Sequence, residues 1–250
     1  MNQHISETAQ LGKNVSIGFN TVICDNVVIG DDCIIGHNVV IHPFAQIGKG
    51  TRIDDNTIIG KKPLSSPRSI FKPPVEMKPA VVGEYCQIGA NVIIYAQCVI
   101  GDKNLIADLA TIRENVSIGT LNIIGRNATI ENFVTIGDRN KFETNCYITA
   151  YSKVEDYCFI APCVATSNDN YMGRDKERFN HFKGVTIKTG GRIGVNATIL
   201  PGKVINEDAM VAGGSLISKD VPPETIVLGS PAKPVGEVAE AQLLKNNLDK

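Results

Sequence analysis

An aliphatic side chain returns at every sixth residue through most of this chain. Between Val82 and Thr166 the beat falls on Val82, Ile88, Ile94, Ile100, Ile106, Ile112, Ile118, Ile124, Ile130 and Ile136. It continues through Phe142, Ile148, Val154 and Ile160, and Thr166 stands where the next would fall. Ile5, Leu11, Ile17, Ile23, Ile29, Ile35, Ile41, Ile47, Ile53 and Ile59 precede this stretch, and Ile187, Ile193, Ile199, Ile205, Val211 and Ile217 follow it. A period of six matches neither the 3.6 of a helix nor the simple alternation of strands joined by hairpins. It matches a parallel β-helix in which three short strands make one triangular coil. The rungs then make about ten coils of an all-β fold, about 50 Å long at the spacing of paired strands.

The residues between the aliphatics fit such a coil. Glycine often follows the aliphatic, as at Gly83, Gly89, Gly101, Gly119, Gly125 and Gly137, where a strand end must pass close to other backbone. Asn or Asp recurs three places after it, at Asn14, Asn20, Asn26, Asp32, Asn38, Asn56, Asn91, Asn115, Asn127, Asn145, Asn196 and Asp208. These residues tolerate left-handed backbone, which suits a tight corner. Cys33, Cys86, Cys98, Cys146 and Cys158 lie four places after an aliphatic, where valine and alanine also occur. They read as small core fillers, and without a CxxC pair the expected compartment is reducing and cytoplasmic.

Two segments break the beat. Residues 61–81 hold five prolines, five basic residues and one acidic residue, which suits an arm that binds an anionic group or packs against another subunit. Residues 167–186 gather Tyr171, Phe179, His181 and Phe182 in a chain that is only 6% aromatic. The β-helix is expected over 1–235, with these two loops inside it. A short helical tail is expected over 236–250, from the spacing of Val238, Ala241, Leu244 and Leu248. A net charge of −1 gives no reason to expect nucleic acid. No apolar run approaches membrane-spanning length, and the N-terminal MNQHISETAQ lacks a signal-peptide core.

Residues eighteen apart stack on one edge of such a coil. After the aliphatic, one edge reads Gly101, Gly119, Gly137, Glu155 and a second Gly89, Ala107, Gly125, Glu143, Ala161. The third reads Tyr95, Arg113, Glu131, Thr149, Ser167, and His42 and Cys24 extend it if the first loop spans a single corner. That polar ladder runs into Asn168, Asp169 and Asn170, so it is the candidate groove; a solvated or trimer-packing edge is the plainer reading.

The beat, the Asn corners and the terminal GSPAKP together resemble the left-handed β-helix acyltransferases over almost the whole chain. The segment from TIKTGGRIGVNATILPGK to GSPAKP is similar to the acyl-CoA end of the hexapeptide acetyltransferases. That resemblance implies acetyl-CoA as cosubstrate, close backbone contact at Gly191, Ala197, Ala212 and Gly213, and Lys219 and Lys233 near its phosphates and adenine. The stretches DLATIREN, ETNCYITAY, APCVATSNDNYMGR and HFKGVTIK resemble N-acetyltransferases of nucleotide-linked 3-amino-3,6-dideoxyhexoses. These imply a homotrimer with active sites between subunits and a dTDP- or UDP-amino sugar as acceptor.

One departure from the related patterns is informative. Tyr147 stands where the lipid A acyltransferases carry a catalytic histidine, and Asn168 where the galactoside-type acetyltransferases carry theirs. A hydroxyl acceptor needs a base, whereas a positioned neutral amine attacks a thioester with less help, so N-acetylation is expected. Glu131 and Glu143 would orient the amine or take its proton, and backbone N–H groups near Asn168 or Asn145 would hold the oxyanion. Arg113, Tyr147, His42, Asp169, Asn170 and His181 are the expected sugar-nucleotide contacts. The alternatives are acylation of the lipid A type from acyl carrier protein and a non-catalytic trimeric β-helix subunit. No metal is expected: His37 and His42 resemble part of the γ-class carbonic anhydrase pattern, but no third histidine stacks with them.

Overall fold

The computed structural model describes residues 3–69, 72 and 74–248. It forms two compact units, 1–127 and 128–250, and both are parallel β-solenoids. In the first, His4–Ile5, Val22–Ile23, Val40–Ile41, Ile58–Lys61, Ile93–Tyr95 and Thr111–Ile112 stack as one parallel face. A second face runs from Gln10–Leu11 to Ser117–Ile118, and a third from Ser16–Ile17 to Ile123–Ile124. Each face has six strands in this unit, hence six coils.

In the second unit the first face holds Thr129–Ile130, Tyr147–Ile148, Ala165–Thr166, Thr198–Ile199 and Leu216–Ile217. The second holds Thr135–Ile136, Lys153–Val154, Thr186–Ile187 and Val204–Ile205 and closes on a bridge from Ile205 to Val221. The third runs from Lys141–Phe142 to Thr225–Gly229, which turns back as an antiparallel partner, Ala232–Glu237. Five strands on its first face make five coils, so the two units together slightly exceed the expected ten.

Each two-residue strand points its first side chain outward and its second inward, as strand alternation requires. Hence Val28, Ile34 and Val99 are exposed while Ile29, Ile35 and Ile100 are at most 2% exposed. The corner follows three places after the inward aliphatic. Every Asn and Asp named for that position has positive φ, from 53° to 62°. The same conformation recurs at bulkier residues, including Phe44, Tyr85, Leu109, Leu121, Phe133 and Tyr151. Left-handed backbone costs such residues about 1–2 kcal/mol each, so the stacked hydrogen bonds on both sides must impose it.

Two side-chain devices tie corner to corner. Asp31, Asp55, Asp102 and Asp108 each accept a hydrogen bond through Oδ1 from the backbone N–H of Lys13, His37, Glu84 and Ala90, eighteen residues earlier, at 2.7–2.9 Å. Asn20 donates to Asn38 at 3.3 Å and Asn38 to Asn56 at 3.2 Å, a short amide ladder. Glycine is required where coils touch: a Cβ on Gly18 would lie 2.5 Å from the Gly36 carbonyl.

The tail differs from the expected helix. Residues 232–237 are strand, and beyond them lie two single 3-10 turns, Glu240–Gln242 and Leu244–Asn246. Ala239 and Leu243, with ψ of 135° and 145°, break any longer helix. Val238 and Leu243 are the buried apolar residues, at 7% and 2% exposure, a spacing of five that fits no helical face.

Candidate functional site

In residues 1–127 the edge beyond the first face carries Cys24, His42, Gly60, Tyr95 and Arg113. The first loop does span one corner, leaving Ile58–Lys61 on the first face and rejoining at Val81–Val82 on the second. Ile70, Phe71 and Pro73 of this loop lie outside the described residues. The strand bulges between Ile59 and Lys61, which sets Lys61 opposite Tyr95. The Lys61 ammonium then stands 5.4 Å from the Tyr95 ring centre and the Arg113 guanidinium 5.0 Å from it. Such cation–aromatic contacts hold both charges beside the ring. Glu114 receives Arg113 through both carboxylate oxygens, at 2.9 and 3.1 Å.

His42 lies one coil below Lys61 and two below Tyr95, with Gly60 between; a Cβ on Gly60 would come within 3.1 Å of the His42 Cβ. Burial, then the charges of Lys61 and Lys62, push the His42 imidazole below its ordinary value, so it stays neutral near pH 7. The returning arm is pinned by Gln97, whose N–H donates to the Lys78 carbonyl at 3.0 Å. The result is a half-buried aromatic platform flanked by cations at the root of a basic arm.

In residues 128–250 the same edge position holds Glu131, Thr149 and Ser167, and Asn168 follows directly. Glu143 and Asn145 lie instead at the corner leading from the third face into the first, with Asn145 at φ 62°. The outward-facing Tyr147 stands between these two edges and is 41% exposed. The expected catalytic residues therefore fall into two groups, Glu131 with Asn168 and Glu143 with Asn145, on opposite sides of one two-residue strand. Glu143 is engaged by Lys141 at 3.0 Å. Thr166, in an aliphatic slot, is buried and hydrogen-bonded: its Oγ1 donates to the Tyr147 carbonyl at 3.1 Å and accepts from the Thr149 N–H at 2.7 Å.

The second loop is held by Asp169. Its carboxylate accepts the N–H of Tyr171 at 2.8 Å and of Gly173 at 3.1 Å, and the Arg178 guanidinium at 2.8 Å. Desolvation opposes its charge, but the Arg178 guanidinium and these N–H groups outweigh that and keep the carboxyl below its ordinary value. Arg178 packs over Phe179 and Phe182 at 4.7 and 5.5 Å, and His181 stacks on Tyr171 at 5.5 Å with Glu177 3.4 Å from its Nε2. Asp169 thus organises the loop, while Asn170 is exposed. The acid–base pair Asp169 and Arg178 is nine residues apart in the sequence, a spacing that gives no local signal of contact.

Toward the end of the chain, Gly191 and Ala197 are buried, and their carbonyls accept the N–H groups of Phe159 and Ala165 in the coil before. Ala212 and Gly213 lie on the strand end and corner beyond Val211; Lys219 and Lys233 are exposed. Among the described residues no three His, Cys, Asp or Glu side chains gather as a metal site, and no helix is long and apolar enough to cross a membrane.

The chain is thus a parallel β-solenoid built on six-residue repeats. The family model described as "Bacterial transferase hexapeptide (six repeats)" matches residues 8–43, 33–61 and 79–113 of it. A dTDP-3-amino-3,6-dideoxy-alpha-D-galactopyranose 3-N-acetyltransferase from Aneurinibacillus thermoaerophilus is 37% identical over 59 residues, 24% of this chain and 31% of that protein. A 2,3,4,5-tetrahydropyridine-2,6-dicarboxylate N-acetyltransferase from Staphylococcus aureus is 39% identical over 64 residues, 26% of this chain and 27% of that one. The chain spans only about a quarter to a third of the length of these curated relatives. Among solved structures, the UDP-N-acetylglucosamine acyltransferases of Bacteroides fragilis and Arabidopsis share the fold, with TM-scores of 0.55 and 0.58. They are 22% and 19% identical, over 94% and 98% of this chain and 72% and 75% of theirs.

Proposed function

We propose that this protein is an acyltransferase that moves the acetyl group of acetyl-CoA to the amine of a nucleotide-linked amino sugar, working as a homotrimer. The observation that carries the reading is the platform in residues 1–127. Tyr95 between Lys61 and Arg113, with neutral His42 below and Lys62 beside it, suits an aromatic base and a charged pyrophosphate better than a neutral acceptor. The partial likeness to a dTDP-amino-sugar N-acetyltransferase supports the same acceptor class.

In residues 128–250, neither Tyr147 nor Asn168 offers an imidazole base, which favours an amine. The amine lone pair attacks the thioester carbonyl, the C–S bond breaks as the tetrahedral intermediate collapses, and the amine proton leaves with CoA thiolate or to a carboxylate. Glu131, with Asn168 on the same edge, is the proposed group that orients the amine; Glu143 is the second carboxylate, with Asn145 beside it. Backbone N–H groups near Asn168 or Asn145 would stabilise the oxyanion, and most of the acceleration would come from positioning. Ala212, Gly213, Lys219 and Lys233, with Gly191 and Ala197 in the coil before, would receive CoA.

The test is CoA release, followed by chromatography, with dTDP- and UDP-linked amino sugars against the corresponding hydroxyl sugars. Amino sugars alone should turn over, and Glu131→Ala and Asn168→Ala should lower kcat by about 10- to 1000-fold. Turnover of hydroxyl sugars only, or acylation only from acyl carrier protein, would overturn the amine reading. Absence of thermal stabilisation by saturating acetyl-CoA would remove the enzyme itself.

A further inference from the structure

The tail creates a pocket lined by none of the residues proposed for acyl transfer. Its two 3-10 turns lie against the outer side of the third face in residues 128–250, and the Asp208 carboxylate fastens them by accepting the Leu244 N–H at 3.0 Å. Gly190, at φ +74°, leaves room for this approach: a Cβ there would meet Asp208 Oδ1 at 2.7 Å and Leu244 Cβ at 3.4 Å. Between tail and face remains a cavity of about 350 Å³, lined by Arg192, Tyr157, Asp208, Gln242, Leu244 and Asn247 among others.

Arg192 sits in the strand Arg192–Ile193, between Phe159 of the coil before and Met210 of the coil after. Ile193 fills the core, so the guanidinium lies on the outer face under the tail. Its Nη1 reaches Gln242 Oε1 at 3.5 Å, a weak contact. Its Nε and Nη2 are buried and have no hydrogen-bond partner. Among the described residues no carboxylate pairs with it. Leaving buried donors without an acceptor is costly, and two of them on one planar fork call for a missing partner. The fork geometry matches two oxygens of one oxyanion.

We propose that this pocket is an oxyanion site, anchored by Arg192, for a small phosphate- or carboxylate-bearing molecule. Half of its wall is the tail, so an oxyanion bound there also holds the tail down. This goes beyond the acyl-transfer reading, and its test needs no turnover.

The full chain is melted in buffered chloride at constant ionic strength, with chloride replaced stepwise by inorganic phosphate in one series and by acetate in another. The expected result is a saturable rise in Tm of about 2 °C or more, half-complete in the millimolar range. A rise with phosphate alone assigns a phosphate ligand, with acetate alone a carboxylate, and with both the shared oxyanion. Arg192→Gln should abolish the rise, and so should Ala241→Phe, which keeps the charge but fills the space. Hydrogen exchange over residues 240–247 should slow with the effective anion in the wild type and not in A241F, which decides the matter if R192Q does not fold. Chloride matching both anions, or either variant retaining the full shift, overturns the proposal.

Discussion

Cys98 shows how much one small interior residue does in this fold. It is fully buried, and its thiol donates to the Arg113 carbonyl at 2.9 Å. Cys33, Cys86, Cys146 and Cys158 make the same kind of bond to Gly48, Gly101, Ala161 and Lys188 at 3.1–3.2 Å. Thr21, Thr51 and Thr57 do it with hydroxyls, to Gly36, Gly83 and Gly89 at 2.7–2.8 Å. The position therefore takes a small side chain and can satisfy one donor, and Cys98→Thr should melt close to wild type. Cys98→Leu should lose about 1–3 kcal/mol from overpacking, a difference that denaturant midpoints would show. Burial pushes the Cys98 and Cys158 thiols up to about 12 and Cys146 to about 11. Native alkylation followed by peptide mapping should therefore label exposed Cys163 first and leave these three until unfolding. The sequence position alone showed these cysteines to be core residues. It did not show the hydrogen bond, because a hexad register says which way a side chain points and nothing of the carbonyl in the next coil. His42 carries the pH dependence of the same scale. Its folded value is depressed below 6.5, so the unfolded chain takes the proton first as pH falls. Stability is present in full above about 6.5 and declines as pH drops through the folded value. Denaturant midpoints from pH 7.5 to 5.5 should fall less steeply in His42→Gln than in wild type.

The corner is the repeating element, and it is also where local preference and global fold disagree most. Asn38 is at φ 54° and Leu109 at φ 64°, the same position in two coils. Asn38 both tolerates the conformation and extends the amide ladder, whereas Leu109 only endures it, 54% exposed. Leu109→Asn should raise Tm by about 1–3 °C and Asn38→Ala lower it by a similar amount, as thermal melts would measure. Asn or Asp marked twelve of these corners in the sequence. The others were legible only by counting from the aliphatic, since nothing in Phe133 or Tyr151 by itself announces left-handed backbone; the stacked neighbours impose it. The second loop illustrates a different limit. Asp169 and His181 are expected sugar-nucleotide contacts, and both also serve the loop itself: Asp169 ties to Arg178, and His181 stacks on Tyr171. Asp169→Ala removes three accepted hydrogen bonds at once. Limited trypsin digestion should then cut at Arg174, Lys176 or Arg178 at least several-fold faster, with the melting of the solenoid almost unchanged.

Stacking along one direction gives this protein a stability that varies from coil to coil. In residues 1–127 the inward aliphatics of the first coil are partly open, Ile5 at 36% and Leu11 at 41% exposure, whereas Ile23, Ile29 and Ile35 of the next are at 0–2%. A coil covered on one side only has about half the neighbours of an inner one, and in a nearest-neighbour stack that difference appears directly in its local opening free energy. The hexad register identified all of these residues as core, because it records which face a residue serves. It does not record whether another coil lies over it, so the gradient is a property of the stacked coils and not of the register. The carbonyl acceptors of the first coil's amides lie one coil further in, such as Ile23 for Ser6 and Ile29 for Gly12. These amides can therefore be released without disturbing the coils beyond. Hydrogen exchange should show it: the N–H groups of His4, Ser6, Gln10 and Gly12 should exchange at least about ten-fold faster than those of Val22, Cys24, Val28 and Gly30. Equal rates across these two sets would mean that the coils open together, and that the solenoid behaves as one cooperative body instead of a stack.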